Sequence, residues 1–142
     1  KATQMTTQKQ FAITFVYVAN SITERQSLWA VLNHIANSAQ GPWCVMGDFN
    51  AVLSPGDRMG GDAVQHGEIQ DFATCLQECE LQEVTSNGAY FTWTNKRVWS
   101  RIDRVVANNL WYQAMGFTQV SCLAEGLSDH TLVRLQFPSM PS

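Results

Sequence analysis

Phe11, Ile13, Phe15 and Tyr17 alternate with Ala12, Thr14, Val16 and Val18, which predicts a strand with two largely apolar faces and therefore a central place in a sheet. The period then lengthens. Leu28, Val31, Leu32 and Ile35 share one helix face, and Ser21 with Glu24 supplies a capping-box pattern ahead of them. Gly41-Pro42 ends that helix, and positions 43–46 predict a short strand feeding into Gly47-Asp48-Phe49-Asn50. The polar, Gly-rich stretch 54–67, with Pro55-Gly56 and Gly60-Gly61, reads as a long exposed loop, a kind of segment that is often functional. Ile69, Phe72, Ala73 and Leu76 mark a second helix, and Asn87-Gly88 predicts a turn into a strand over 90–94. A strand over 102–106, a short helix over 109–115 and strands near 117–123 and 131–137 complete the pattern. Strands alternating with helices indicate an α/β domain.

With 142 residues, 45% of them hydrophobic, the chain can bury a core of its own, and no linker-like stretch divides it. The expected organisation is one domain over 11–137 with short tails at 1–10 and 138–142. No apolar run approaches the roughly 18 residues of a membrane helix, and no membrane partner is expected. Lys1-Ala2-Thr3-Gln4 does not resemble a secretory signal. Cys44, Cys75, Cys79 and Cys122 lack zinc-site spacing and read as reduced core residues, which fits an intracellular protein.

A net charge of -3 disfavours nucleic-acid binding through bulk electrostatics. The distribution is more informative, because four of the nine basic residues, Lys96, Arg97, Arg101 and Arg104, fall within nine positions. Such a patch suits contact with a phosphate backbone; a solvated strand edge is the other reading.

Three polar constellations stand beside strand-like runs: Gly47-Asp48-Phe49-Asn50, Arg101-Ile102-Asp103-Arg104 and Ser128-Asp129-His130. Taken singly, each has a plain explanation. Gly47-Asp48 is a common turn pair, Asp103 between two arginines reads as a surface salt bridge, and Ser128-Asp129-His130 reads as a cap or loop hydrogen-bond cluster. Brought to one sheet edge, their carboxylates, amide and imidazole supply most of what metal-assisted phosphodiester hydrolysis requires.

In this order the motifs resemble the endonuclease/exonuclease/phosphatase family, the fold of DNase I and the apurinic-site endonucleases. The likeness runs over about 11–137 and is closest to the endonuclease domain of plant LINE-type retroelements. It is carried by Phe15-Val16-Tyr17, Arg25, Leu28-Trp29, Pro42-Trp43, Gly47-Asp48-Phe49-Asn50, Gly88, Phe91-Thr92-Trp93-Thr94, the segment 100–105 and Ser128-Asp129-His130. The resemblance implies a DNase I-like sandwich of two sheets with helices outside. Family members also have an early strand bearing Asn or Asp, and then a metal-binding Glu, ahead of the segment that begins at Phe11. The ten residues before Phe11 hold no acidic side chain, so the resemblance implies the C-terminal part of such a domain.

The family roles transfer residue by residue. Asp48 would hold or deprotonate the attacking water, and Asn50 would orient it and donate to the phosphate. His130 would donate to a non-bridging oxygen, oriented and made more basic by Asp103. Asp129, with Asp48, would assist in holding Mg2+ or Mn2+, a function weakened without the Glu. Tyr17 and Asn20 match the family's phosphate-contacting pair, although Val18-Ala19 stands between them where many members have Gly or Pro. Arg101 and Arg104 are the candidate backbone-binding residues.

The implied activity is a DNA endonuclease, nuclear by analogy. An inactive fragment or interaction module, and a phosphatase of the same fold, are the alternatives. An uncovered sheet in a partial domain also leads us to expect self-association.

Overall fold

Thr92, Ser100 and Arg104 are buried with the core, an early sign that polar groups hold part of this fold together. The computed structural model describes residues 10–124 and 128–138. Of the expected tails 1–10 and 138–142, all but Gln10 and Pro138 lie outside the described residues.

The chain runs through β1 (Ala12–Tyr17), α1 (Ile22–Ser38), β2 (Trp43–Asp48), a 3-10 turn (Pro55–Asp57), β3 (Arg58–Met59), α2 (His66–Cys79), β4 (Gln82–Glu83) and β5 (Ser86–Gly88). It continues through β6 (Trp93–Thr94), β7 (Trp99–Ser100), β8 (Asp103–Ala107), α3 (Asn109–Met115), β9 (Gln119–Leu123) and β10 (Leu132–Gln136). The central sheet has the order β1-β2-β8-β4, a second has β10-β9-β5, and a small third one has β3-β7-β6.

Alternation along β2 divides the core into two layers. Trp43 and Val45 face the helices, packing with Val16, Val106, Trp29, Leu32, Phe72 and Leu76. Cys44 faces the other way, into a cluster with Val105, Ala107, Val120 and the α3 residues Trp111 and Met115. Two sheets with helices outside is the DNase I-like arrangement expected from the motifs. Local chemistry explains the helix starts. Ser21 Oγ accepts the Glu24 N–H at 3.1 Å, and Asn108 Oδ1 accepts the Trp111 N–H at 2.9 Å.

The structure corrects four expectations. Among the described residues β1 is an edge strand rather than a central one, paired with β2 alone. Its Val16 side is buried, whereas Phe15 and Tyr17 on the other side are 73% and 83% exposed, because no described element packs over them. The stretch 54–67 is not one exposed loop: it contains the 3-10 turn, β3 and the start of α2, and it buries Asp57. Asn87-Gly88 is not a turn but part of β5, where Gly88 has φ +94° and a Cβ would lie 2.2 Å from the Cys122 carbonyl oxygen. The expected strand 90–94 is thereby reduced to β6. The four cysteines are free and buried.

The fourth correction concerns Arg101 and Arg104, which lie inside the protein rather than on an exposed basic edge. Successive residues of a strand point to opposite faces, so Arg104 is directed away from Asp103. Arg104 pairs with Asp57 and with Glu83 at 2.7 Å, and Arg101 pairs with the other Glu83 oxygen at 2.8 Å. Only Lys96 and Arg97, at the β6–β7 turn, remain exposed from that group.

Asp57 also accepts the Leu53 N–H at 2.9 Å, the Ser54 N–H at 3.1 Å and the Tyr90 hydroxyl. Burial pushes its pKa up, but the Tyr90, Leu53 and Arg104 contacts outweigh that and hold it below 3.8. Its contribution to stability is therefore present above pH 3.8 and is lost as pH falls through the lowered value. Replacing Asp57 by Ala leaves Arg104 with Glu83 alone and removes the acceptor of the Leu53 and Ser54 N–H groups and the Tyr90 hydroxyl, and we expect a loss of about 3 kcal/mol in denaturant unfolding at neutral pH. A loss below about 1 kcal/mol would show that the pair is not the structural tie described.

Candidate active site

Asp48 ends β2 and Asp103 begins β8, and the antiparallel register sets them directly opposite one another. Opposed residues project from the same face, here the one that carries Met46 and Val105 towards the second core cluster. The parallel β1–β2 register places Tyr17 beside Asp48, so Tyr17, Asp48 and Asp103 form a row across three strand ends.

Glycine is required at the position before Asp48. Gly47 has φ +140°, and a Cβ there would lie 2.0 Å from the Val16 carbonyl oxygen. Phe49 is buried after Asp48 and stacks on Phe72, which stacks in turn on Trp29, so the strand end is clamped to both long helices. Asn50 adopts φ +48°, a left-handed conformation that asparagine tolerates. Its backbone N–H donates to Asp48 Oδ1 at 2.8 Å, and its side-chain amide donates to the Val18 carbonyl at 3.0 Å.

His130 comes from the turn before β10. Its N–H donates to Ser128 Oγ at 3.2 Å, the Thr94 N–H donates to the Asp129 carbonyl at 3.0 Å, and the Thr131 N–H donates to the Thr92 carbonyl at 2.7 Å. These bonds fasten the turn to β6. The imidazole Nδ1 then lies 2.9 Å from Asp103 Oδ2, and Nε2 lies 3.8 Å from Asp48 Oδ2.

The electrostatics follow from this crowding. Burial, and then the charge of Asp103, push the Asp48 pKa up against the lowering effects of the Asn50 N–H and His130. Asp103 is likewise pushed up, chiefly by burial, with its His130 hydrogen bond opposing. For His130, burial works to lower the pKa, but the Asp103 hydrogen bond and the charges of Asp103, Asp48 and Asp129 outweigh it. The net result is a histidine that stays protonated above its ordinary 6.5.

A family model for the endonuclease/exonuclease/phosphatase family matches residues 7–130. The chain belongs to this family. No match was found among curated proteins. Among solved structures the chain is similar to the 3' phosphatase NExo from Neisseria, bound to a product DNA hairpin, with a TM-score of 0.63 and 21% identity over 89% of this chain and 61% of that one. It is also similar to beta toxin from Staphylococcus aureus, with a TM-score of 0.54 and 12% identity over 92% of this chain and 53% of that one. At those identities the likeness is one of fold, and the chain spans less than two thirds of either structure's length.

Within the endonuclease/exonuclease/phosphatase fold, a cleft of about 380 Å³ opens beside the strand ends, with Tyr17, Asn20, Asp48, Asn50 and His130 in its walls. Asp103 stands behind His130. Asp129 is exposed and lies outside the cluster, facing a neighbouring groove with Trp93 and Trp99. Arg101 and Arg104 border a different cavity with Asp57 and Glu83.

Two residues of the motif series have roles that the sequence does not reveal. Thr92 Oγ1 accepts the N–H groups of Ile102 and Asp103 at 3.0 Å each, holding Asp103 in place. Arg25 donates to Asn20 Oδ1 at 2.8 Å and lines the cleft. Thr92 sits inside an aromatic run where nothing local marks it as a tie, and Arg25, although part of the motif series, has no local signal of its contact with Asn20.

Family members generally use divalent metals, and the donor set here fits one in part. Asp48, Asp103 and His130 each offer an atom within 4.8 Å of the others, the one such group among the described residues. Carboxylate oxygens suit Mg2+ or Mn2+, and a cation would relieve the repulsion that raises both aspartates. A protonated His130 bonded to Asp103 is a donor rather than a ligand, which leaves Asp48 Oδ2 as the most available atom.

Gly47→Ala should force β2 away from β1 next to Asp48 and lower thermal stability by about 2 kcal/mol or more. Gly67→Ala in α2, where a Cβ meets nothing within 4 Å, is the control and should be neutral or stabilising. Equal melting temperatures for the two variants would contradict the close strand approach described.

Proposed function

We propose that the chain carries the catalytic centre of a divalent-metal-dependent phosphodiesterase of the DNA endonuclease type. The observation that carries this reading is His130, hydrogen-bonded to Asp103 and facing Asp48 across 3.8 Å at the wall of an open cleft. A charged imidazole beside a raised carboxylate provides a donor and an acceptor a few ångströms apart, which an in-line attack by water on phosphorus needs.

His130 donates from Nε2 to a non-bridging phosphate oxygen, while Asp103 holds the ring by Nδ1 and stabilises its charge. Asp48 accepts the proton of the attacking water, as an ionised carboxylate facing His130 can. Asn50 fixes Asp48 through its backbone N–H, and Tyr17 with Asn20 contacts the phosphate from the β1 side. When bound, Mg2+ or Mn2+ would neutralise phosphate charge and polarise the reacting oxygens. Asp48 would hold it, with Asp129 reaching it only after moving from its exposed position. With so few protein ligands, metal binding should be weak.

The finer assignment is a retroelement-type endonuclease of the plant LINE class acting on nuclear DNA, supported by the motif series from Tyr17 to His130. A second reading is removal of a 3'-terminal phosphate from DNA, favoured by the fold shared with the Neisseria 3' phosphatase.

Purified chain should nick supercoiled plasmid in Mg2+ but not in EDTA, and Asp48→Ala or His130→Ala should slow nicking by about 10²–10⁴-fold. Phosphate release from a 3'-phosphorylated hairpin without nicking would select the second reading. No reaction on either substrate by folded protein would overturn both.

A further inference from the structure

The cleft is larger than one phosphate needs, and two arginines line it. At about 380 Å³ it has the volume of a small-ligand site rather than of a single ion. Arg25 and Arg58 line it together with Asp48, His130, Asn20 and Asn50. Asn50 links Arg25 to Asp48, since its N–H donates to Asp48 Oδ1 while its carbonyl accepts from Arg25 Nη1 at 3.4 Å.

The two arginines are not equivalent. Arg58 is held by Glu68 at 2.7 Å, and Glu68 is further engaged by the Gln65 N–H at 2.8 Å. Among the described residues Arg25 makes no ion pair, and its hydrogen bonds, to Asn20 and Asn50, both run through Nη1. Among the described residues no partner takes Nε or Nη2 of this half-buried guanidinium, and Arg25 lines the cleft. Arg25, Arg58 and Glu68, whose charge is felt by both arginines, together add one net positive charge to the cleft lining beside Asp48 and His130. A planar fork of free N–H donors suits a phosphate oxygen pair.

We propose that Arg25 forms a second phosphate subsite, which binds a phosphate of the same polynucleotide strand next to the one under attack. This rests on the phosphodiesterase reading and narrows its substrate to a strand with at least two phosphates. Asn50 joins the two subsites, so seating the flanking phosphate on Arg25 also steadies the residue that fixes Asp48. Arg25 is then both a substrate contact and a positioning residue.

The test separates charge from scaffolding and from chemistry. Binding of a short fluorescein-labelled single-stranded DNA is followed by anisotropy in EDTA over a range of salt, for wild type, Arg25→Lys and Arg25→Gln. Gln keeps a donor for Asn20 but no charge; Lys keeps the charge. Circular dichroism and melting confirm that each variant is folded. The expected result for Arg25→Gln is about tenfold weaker binding at low salt, with the slope of log K against log[salt] reduced by about 0.7, one single-strand phosphate. Arg25→Lys should keep that slope. A dinucleoside monophosphate, with one phosphate, should compete equally well against wild type and Arg25→Gln.

An unchanged slope in Arg25→Gln, equal losses on both ligands, or no DNA binding by wild type would overturn the subsite. Absence of plasmid nicking together with an Arg25-dependent slope would retire the catalytic reading and leave the subsite standing.

Discussion

Two carboxylates face one another across the β2–β8 ladder, and the site depends on how that repulsion is met. Like charges directly opposed on one sheet face are destabilising, and burial makes both aspartates worse hosts for charge. His130 supplies the compensation, bonded to Asp103 and within electrostatic reach of Asp48. The same arrangement that strains the strand ends keeps the imidazole charged. A site that stores unfavourable charge in this way gains from any cation or phosphate-bound metal that enters it.

Holding that geometry is the task of neighbours with no reactive role. Thr92 anchors the backbone at Asp103, the Trp93–His130 bridge and its flanking hydrogen bonds anchor the turn that bears His130, and Gly47 lets β2 approach β1 closely enough to align Asp48. The Phe49–Phe72–Trp29 stack transmits the position of the helices to the strand end. On the opposite face of β8, Arg104 is tied to Asp57 and Glu83, so one short strand serves the site with one residue and the core with the next. Charged residues of this chain therefore divide into those that hold the fold and those that face the cleft, and adjacency in sequence does not tell them apart.

Much of this was legible in the sequence where the signal was local. The helix over 109–115, the Ser21 cap and the strand leading to Asp48 follow from period and capping chemistry. The motif series pointed to Asp48, Asn50, Asp103 and His130, and the structure brings those four together. Long-range pairing was not legible. Arg101 and Arg104 read as an exposed patch because their partners, Asp57 and Glu83, lie far off in the chain. Asn87-Gly88 read as a turn because nothing local reveals its parallel pairing with β9. The two-faced apolar pattern of β1 pointed to a central strand, yet its outer face is exposed among the described residues.

The most direct measurement is the titration of the His130 ring by NMR in wild type, Asp103→Asn and Asp48→Asn. The expected wild-type pKa lies above 6.5, with a large fall on loss of the Asp103 charge and a smaller fall on loss of the Asp48 charge. A wild-type value at or below 6.5 that neither substitution moves would contradict the claim that the two carboxylates hold His130 as a charged donor.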